Sequence, residues 1–165
     1  MIVRNCSGGI VFSTDKVLLV CNDKQEWGFP KGAIKGNADV SLSAFAKERV
    51  KIETGVDARV IAPCGKTNYE FYSISRRKPV HNNVSWFVME SKSTECEAVP
   101  ETGTIDCRFF GIADALEEIT YSQDKSLLMI AYQKYRESIK GYACFFLFNS
   151  CNANRQQICF KPFFV

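Results

Sequence analysis

One stretch governs what this chain can fold into: a glycine- and proline-rich loop feeding an amphipathic helix, with strand-type sequence on both sides. The loop reads Trp27-Gly28-Phe29-Pro30-Lys31-Gly32. Two glycines and a proline predict no regular element there. Beyond it, Leu42, Phe45, Ala46 and Val50 recur at i, i+3, i+4 and i+8. That is one face of a helix over residues 41–54, stopped by Gly55. Upstream, Ile10-Val11-Phe12 and Val17-Leu18-Leu19-Val20 flank a polar Ser13-Thr14-Asp15-Lys16 turn and predict a hairpin. Downstream, strands are expected at residues 58–61, 68–74, 83–90 and 108–112, the third alternating through Val84, Trp86 and Val88. Ser75-Arg76-Arg77-Lys78-Pro79 reads as a basic turn between strands. Asp114 caps a short helix through Glu118. Ser122, followed by Gln123 and Asp124, starts a longer one to about Ile139, with Leu127, Leu128, Ala131 and Tyr135 as its apolar face. Strands before and after one helix, with two more helices closing the run, imply a layered α/β architecture around a mixed sheet.

A chain of 165 residues suits one domain with a short appendage. The expected division is a domain over 1–140 and a tail over 141–165. That tail is rich in aromatic and cysteine residues, from Tyr142-Ala143-Cys144-Phe145-Phe146 to Phe163-Phe164-Val165. Hydrophobic and charged fractions of 46% and 24% are those of an ordinary globular protein, and a net charge of +3 argues for no nucleic-acid or membrane partner by itself. No apolar stretch approaches the ~20 residues a bilayer requires. The start, Met1 to Gly9, has no basic flank followed by an apolar run, so a cytoplasmic location is expected, with the eight cysteines as free thiols. No Cys-x-x-Cys occurs and His81 is the one histidine, which argues against zinc.

The order Gly8-Gly9-Ile10-Val11, then Trp27-Gly28-Phe29-Pro30-Lys31-Gly32, then Ala46-Lys47-Glu48-Arg49-Val50-Lys51-Ile52-Glu53-Thr54-Gly55-Val56 resembles the Nudix hydrolases. The similarity covers roughly residues 3 to 139. Tyr72 to Pro79 leading into Val84-Ser85-Trp86-Phe87 resembles the branch that acts on dinucleoside polyphosphates such as diadenosine tetraphosphate. The resemblance implies an α/β/α sandwich with a mixed sheet. It also implies a pyrophosphohydrolase of nucleoside diphosphates linked to another group, working with Mg2+ or Mn2+. In that family a helix presents carboxylates at i, i+3 and i+4, which share one face and hold the metal against the pyrophosphate.

Counted back from Gly55, this chain departs from that pattern. The family's Arg-Glu falls on Glu48-Arg49, and its Glu-Glu on Ile52-Glu53. The three ligand positions become Arg49, Ile52 and Glu53, of which only Glu53 binds a cation. Gly32 to Gly55 is also two residues longer than the family spacing, and Asp39 is the one residue near the box's first glutamate that could replace it. Glu48 and Glu53 lie about 140° apart around a helix and do not share a face, whereas Arg49 and Glu53 are spaced for an ion pair.

Two readings therefore stand. In one, the chain is a hydrolase with Glu53 and Glu48 catalytic, and Glu53, Glu48 and Asp39 as metal ligands. Lys31, Arg49, Arg76, Arg77 and Tyr72 then bind substrate. In the other, it is a non-catalytic module for a small-molecule nucleotide or RNA, in which Arg49 meets phosphate where a metal used to sit. A salt-bridged helix face explains Glu48, Arg49 and Glu53 as simply, and a soluble hairpin tip explains the basic turn. For base recognition, Tyr69, Phe71, Tyr72 and Trp86 are the aromatic candidates, with Tyr72 preferred. Core packing is the commoner duty of such residues.

Overall fold

The computed structural model describes residues 1–34 and 41–153, with side chains through residue 141. Asp39 lies outside the described residues. Seven strands and three helices follow in chain order: β1 (Ile2–Ser13), β2 (Lys16–Asn22), β3 (Trp27–Gly28), β4 (Lys31–Ala33), α1 (Leu42–Thr54), β5 (Arg59–Ser73), β6 (Lys78–Glu90), β7 (Thr104–Gly111), α2 (Ile112–Glu118) and α3 (Ser122–Ala153). Met1–Tyr135 forms one compact unit and Arg136–Val165 a second. Among the described residues, no helix is long and apolar enough to cross a membrane.

The sheet is mixed. Its order is β3-β2-β1-β6-β5, with β4 added to β1 and β7 added to β2. β1 runs parallel to β6 from Ile2↔Val80 to Phe12↔Glu90, and the β5–β6 hairpin is antiparallel. Alternate residues of β1 face opposite sides. Ile10 and Phe12 pack with Trp86, Leu128 and Tyr135 on one side, and Val11 packs with Leu18, Ala46, Val50 and Met89 on the other. Those two cores are the two interfaces of an α/β/α sandwich.

The amphipathic helix forms where its pattern requires. Ala46 and Val50 are fully buried, and Gly55 ends the helix in the left-handed region (φ 70°) with its N–H on the Lys51 carbonyl. Burying Val50 stabilises the fold by roughly 2 kcal/mol.

Three expectations change. The Trp27-to-Gly32 segment carries two short strands, because β2 and β1 offer it backbone partners that local sequence does not reveal. The strands expected at 58–61 and 68–74 are one strand, β5, which absorbs two register shifts, between Val60 and Ala62 and between Pro63 and Gly65. The last helix does not end near Ile139 but runs to Ala153.

Candidate functional site

A cleft of about 570 Å3 opens inside the first unit, within the usual range for a nucleotide-sized ligand. α1 lends it Arg49 and Glu53, the β3–β4 segment lends Trp27 to Phe29 and Lys31, and β5 lends Thr67, Tyr69 and Phe71. The start of β7 and the first turn of α3 close it with Thr104 and Asp124.

Arg49 and Glu53 sit one helical turn apart and close on each other as an ion pair, Nη2 donating to Oε1. The Glu53 side chain is 6% exposed and that of Arg49 24%. Arg49 can lie this low because β4 has Gly32 beneath it: a Cβ there would meet Arg49 Cδ at 2.7 Å. The Arg49 Nε is buried without a hydrogen-bond partner, and among the described residues the guanidinium hydrogen-bonds through Nη2. Burial pushes the Glu53 carboxyl above its ordinary value, against the pull of Arg49, Lys31 and a hydrogen bond from Thr104. The backbone around the pair is braced. Val99 N–H donates to the Glu53 carbonyl at 3.2 Å and Glu97 N–H to that of Thr54 at 3.0 Å.

Lys31 holds its ammonium 5.8 Å from the centre of the Trp86 ring. No carboxylate lies within ion-pair reach of it among the described residues. Trp86 is itself buried, its indole N–H on Thr67 Oγ1 at 2.8 Å and its ring edge-on to Phe29. The rings open to the cleft include Tyr69 and Phe71, with centroids 6.2 Å apart, Trp27 and Tyr121.

At the mouth, Tyr121 donates to Glu26 Oε1 at 2.6 Å and Asn22 Nδ2 to Glu26 Oε2 at 2.8 Å. These bonds hold the Glu26 carboxyl below its ordinary value, and the same contact pushes Tyr121 up to about 12. Trp27 and Thr120 exchange two more hydrogen bonds, Trp27 N–H to Thr120 Oγ1 and Thr120 N–H to the Trp27 carbonyl. The two sides of the mouth are thereby tied across more than ninety residues of sequence.

Of the residues expected from sequence, the fold brings Lys31, Arg49 and Glu53 into this cleft. Glu48 is exposed on another face of α1, in keeping with the angle that separates it from Glu53. Tyr72 is 63% exposed beside the β5–β6 turn, and Arg76 and Arg77 stand on the turn itself; none of the three lines the cleft. Asp124, Glu26, Tyr69 and Thr104 line it without having been singled out, Tyr69 aside. Asp124 had read only as a helix-start residue, and no local signal marks it as buried.

Among the described residues, the donor set does not fit a divalent metal. Mg2+ wants several oxygens in octahedral array. The cleft face of α1 offers one carboxylate, already closed on a guanidinium, and an arginine stands where a second carboxylate is needed. No group of three acidic, histidine or cysteine side chains converges among the described residues.

No family sequence model and no curated protein matches the chain. Solved structures do. The Nudix domain of Shewanella oneidensis NrtR, complexed with ADP-ribose, superposes with a TM-score of 0.65 at 17% identity, over 82% of this chain and 90% of that one. The Escherichia coli dihydroneopterin triphosphate pyrophosphohydrolase gives 0.62 at 13%, over 78% and 95%. A Caenorhabditis elegans Ap4A hydrolase in a binary complex gives 0.59 at 14%, over 84% and 98%. The fold is the Nudix fold. Identities this low establish the architecture, and function has to be argued from the site.

Proposed function

We propose that this chain is a recognition module for nucleoside-diphosphate-linked ligands, one that holds the diphosphate without a metal and does not cleave it. The observation that carries this reading is the Arg49–Glu53 pair in the cleft wall. A guanidinium occupies the helix position where the family places a carboxylate. Its free Nη1 and the unpaired Lys31 ammonium are the two donors for phosphate oxygens. Glu53 then holds Arg49 in place instead of holding a metal.

The charge of the cleft narrows the ligand. Three cations, Lys24, Lys31 and Arg49, face four carboxylates, Glu26, Glu53, Glu70 and Asp124. A tetraphosphate chain would bring more negative charge than Lys31 and Arg49 offset. A diphosphate linking two neutral groups suits them better than a dinucleoside polyphosphate does.

A metal-dependent pyrophosphohydrolase is the second reading, and Glu53, at the family's ligand position, is the feature that favours it. One experiment separates the two. ADP-ribose, ATP, diadenosine tetraphosphate and capped RNA are titrated calorimetrically in EDTA, then incubated with Mg2+ or Mn2+ and assayed for cleavage. Binding in EDTA with no turnover supports the module. Metal-dependent cleavage that Glu53→Gln abolishes sinks it in favour of the hydrolase.

A further inference from the structure

Asp124 is the group in the cleft with the least evident reason to be there. It is 9% exposed, it lines the cleft, and its carboxylate has no hydrogen-bond partner among the described residues. Its position is fitted closely: a Cβ on Gly28 would come within 3.1 Å of Asp124 Oδ2. A buried carboxylate left without donors costs stability. The neighbouring polar groups do not relieve it. Tyr121 gives its one hydroxyl hydrogen to Glu26, and Gln123 directs one of its two amide hydrogens to the Asn68 carbonyl; neither side chain bonds to Asp124. The Lys31 ammonium acts on Asp124 only at a distance beyond ion-pair reach.

This end of the cleft therefore holds two carboxylate oxygens that no side chain of the described residues bonds. It also offers aromatic faces: Tyr69 and Phe71 line the same cleft, and Tyr69 and Asp124 both act electrostatically on Tyr121. A ligand group that satisfies such a place is flat and presents adjacent N–H donors. Guanine does so, with N1–H and N2–H side by side on one edge, matching the two oxygens of a carboxylate. Adenine presents one amino group beside a ring nitrogen that is an acceptor, and that acceptor would face a carboxylate oxygen.

Resting on the nucleotide reading above, we infer that Asp124 is a specificity-determining residue that selects guanine over adenine at the base end of the ligand.

The test uses the full chain and two probes that differ only in the base, GDP-glucose and ADP-glucose, titrated calorimetrically in EDTA. The wild type is expected to bind GDP-glucose at least about tenfold more tightly, the discrimination of one bidentate pair. Asp124→Asn, which replaces one acceptor with a donor, is expected to erase that preference while changing ADP-glucose affinity less than about threefold. Gly28→Ala is the second variant. It leaves Asp124 in the chain but crowds its carboxylate, and it is expected to shrink the preference in the same direction. Equal affinities in the wild type, or an Asp124→Asn variant that weakens both probes alike, would overturn the inference and leave the nucleotide reading standing. Binding of neither probe would overturn both.

Discussion

Arg49 lies against the backbone of Gly32, and its guanidinium reaches from there to the Glu53 carboxylate on the next turn of the same helix. The absent side chain at residue 32 is thus part of the site. A methyl group there would meet Arg49 Cδ at 2.7 Å, closer than ordinary contact, so the far end of the arginine has to shift from its place beside Glu53. Gly32→Ala is expected to cost the fold about 1 kcal/mol or less, below the usual range for overpacking, because the clash is with the movable end of a long side chain. It should also weaken nucleotide binding. Thermal melts and calorimetric titration read both effects, and unchanged binding would mean that Arg49 does not touch the ligand.

Removing one partner of the pair tests it differently from removing both. Arg49→Ala leaves a nearly buried carboxylate without its cation, and a loss of roughly 3 kcal/mol at neutral pH is expected. The loss should depend on pH with a definite sign. Burial already sets the folded pKa of Glu53 above its ordinary 4.5, and taking Arg49 away raises it further. A folded state that holds the proton more tightly suffers no penalty below the unfolded value. The penalty grows as pH rises through the folded value. The deficit of Arg49→Ala should therefore fade as pH falls toward 4.5. Arg49→Met combined with Glu53→Leu should lie within about 1 kcal/mol of wild type at all pH values, because it strands no charge. Urea unfolding at several pH values decides the matter.

Asp124 gives a stability prediction that runs opposite to the binding role proposed for it. Burial pushes its carboxyl up from the ordinary 3.8, with Lys31 pulling the other way. The cost of its ionised form is absent below about 3.8, builds as pH rises through the folded pKa, and is complete above it. Asp124→Asn should melt higher than wild type at neutral pH, by roughly 1 kcal/mol of stability. The gap should close as the solution is acidified. A variant less stable than wild type at pH 7 would show that Asp124 has a structural partner.

Much of this site is legible before folding, and the illegible part has identifiable causes. The Arg49–Glu53 pair follows from helical spacing alone, as does the separation of Glu48 from it, because 100° per residue holds along α1. Strand parity is less secure. Tyr72 was the preferred aromatic, yet Tyr69 and Phe71 are the ones that line the cleft. The face a residue takes on β5 follows from its pairing with β6 and from two irregularities upstream, which change the count. Asp124 was out of reach for another reason. An aspartate in the first turn of a helix ordinarily answers the helix dipole in solvent. This one is buried in the fold, with Gly28, from a strand almost a hundred residues earlier, close against its carboxylate.

On the reading proposed above, two side chains separate this helix from a metal-holding one, so the proposal can be tested by putting them back. Residues 49, 52 and 53 stand at i, i+3 and i+4, which share a helix face. Ile52 is 44% exposed, so a glutamate there meets solvent and no core. Arg49→Glu with Ile52→Glu would set two new carboxylates beside Glu53 and remove the cation that holds it. In the wild type, adding Mg2+ or chelating it is expected to change nucleotide affinity by less than about twofold. In the double variant, Mn2+ binding followed by electron paramagnetic resonance should become saturable, and nucleotide affinity should come to depend on the metal. The wild type failing to bind Mn2+ while the variant does would tie the absence of a metal site to residues 49 and 52. Saturable Mn2+ binding by the wild type in this cleft would mean that oxygens from another segment complete a site around Glu53, and the arginine would then be an addition to the metal and not its replacement.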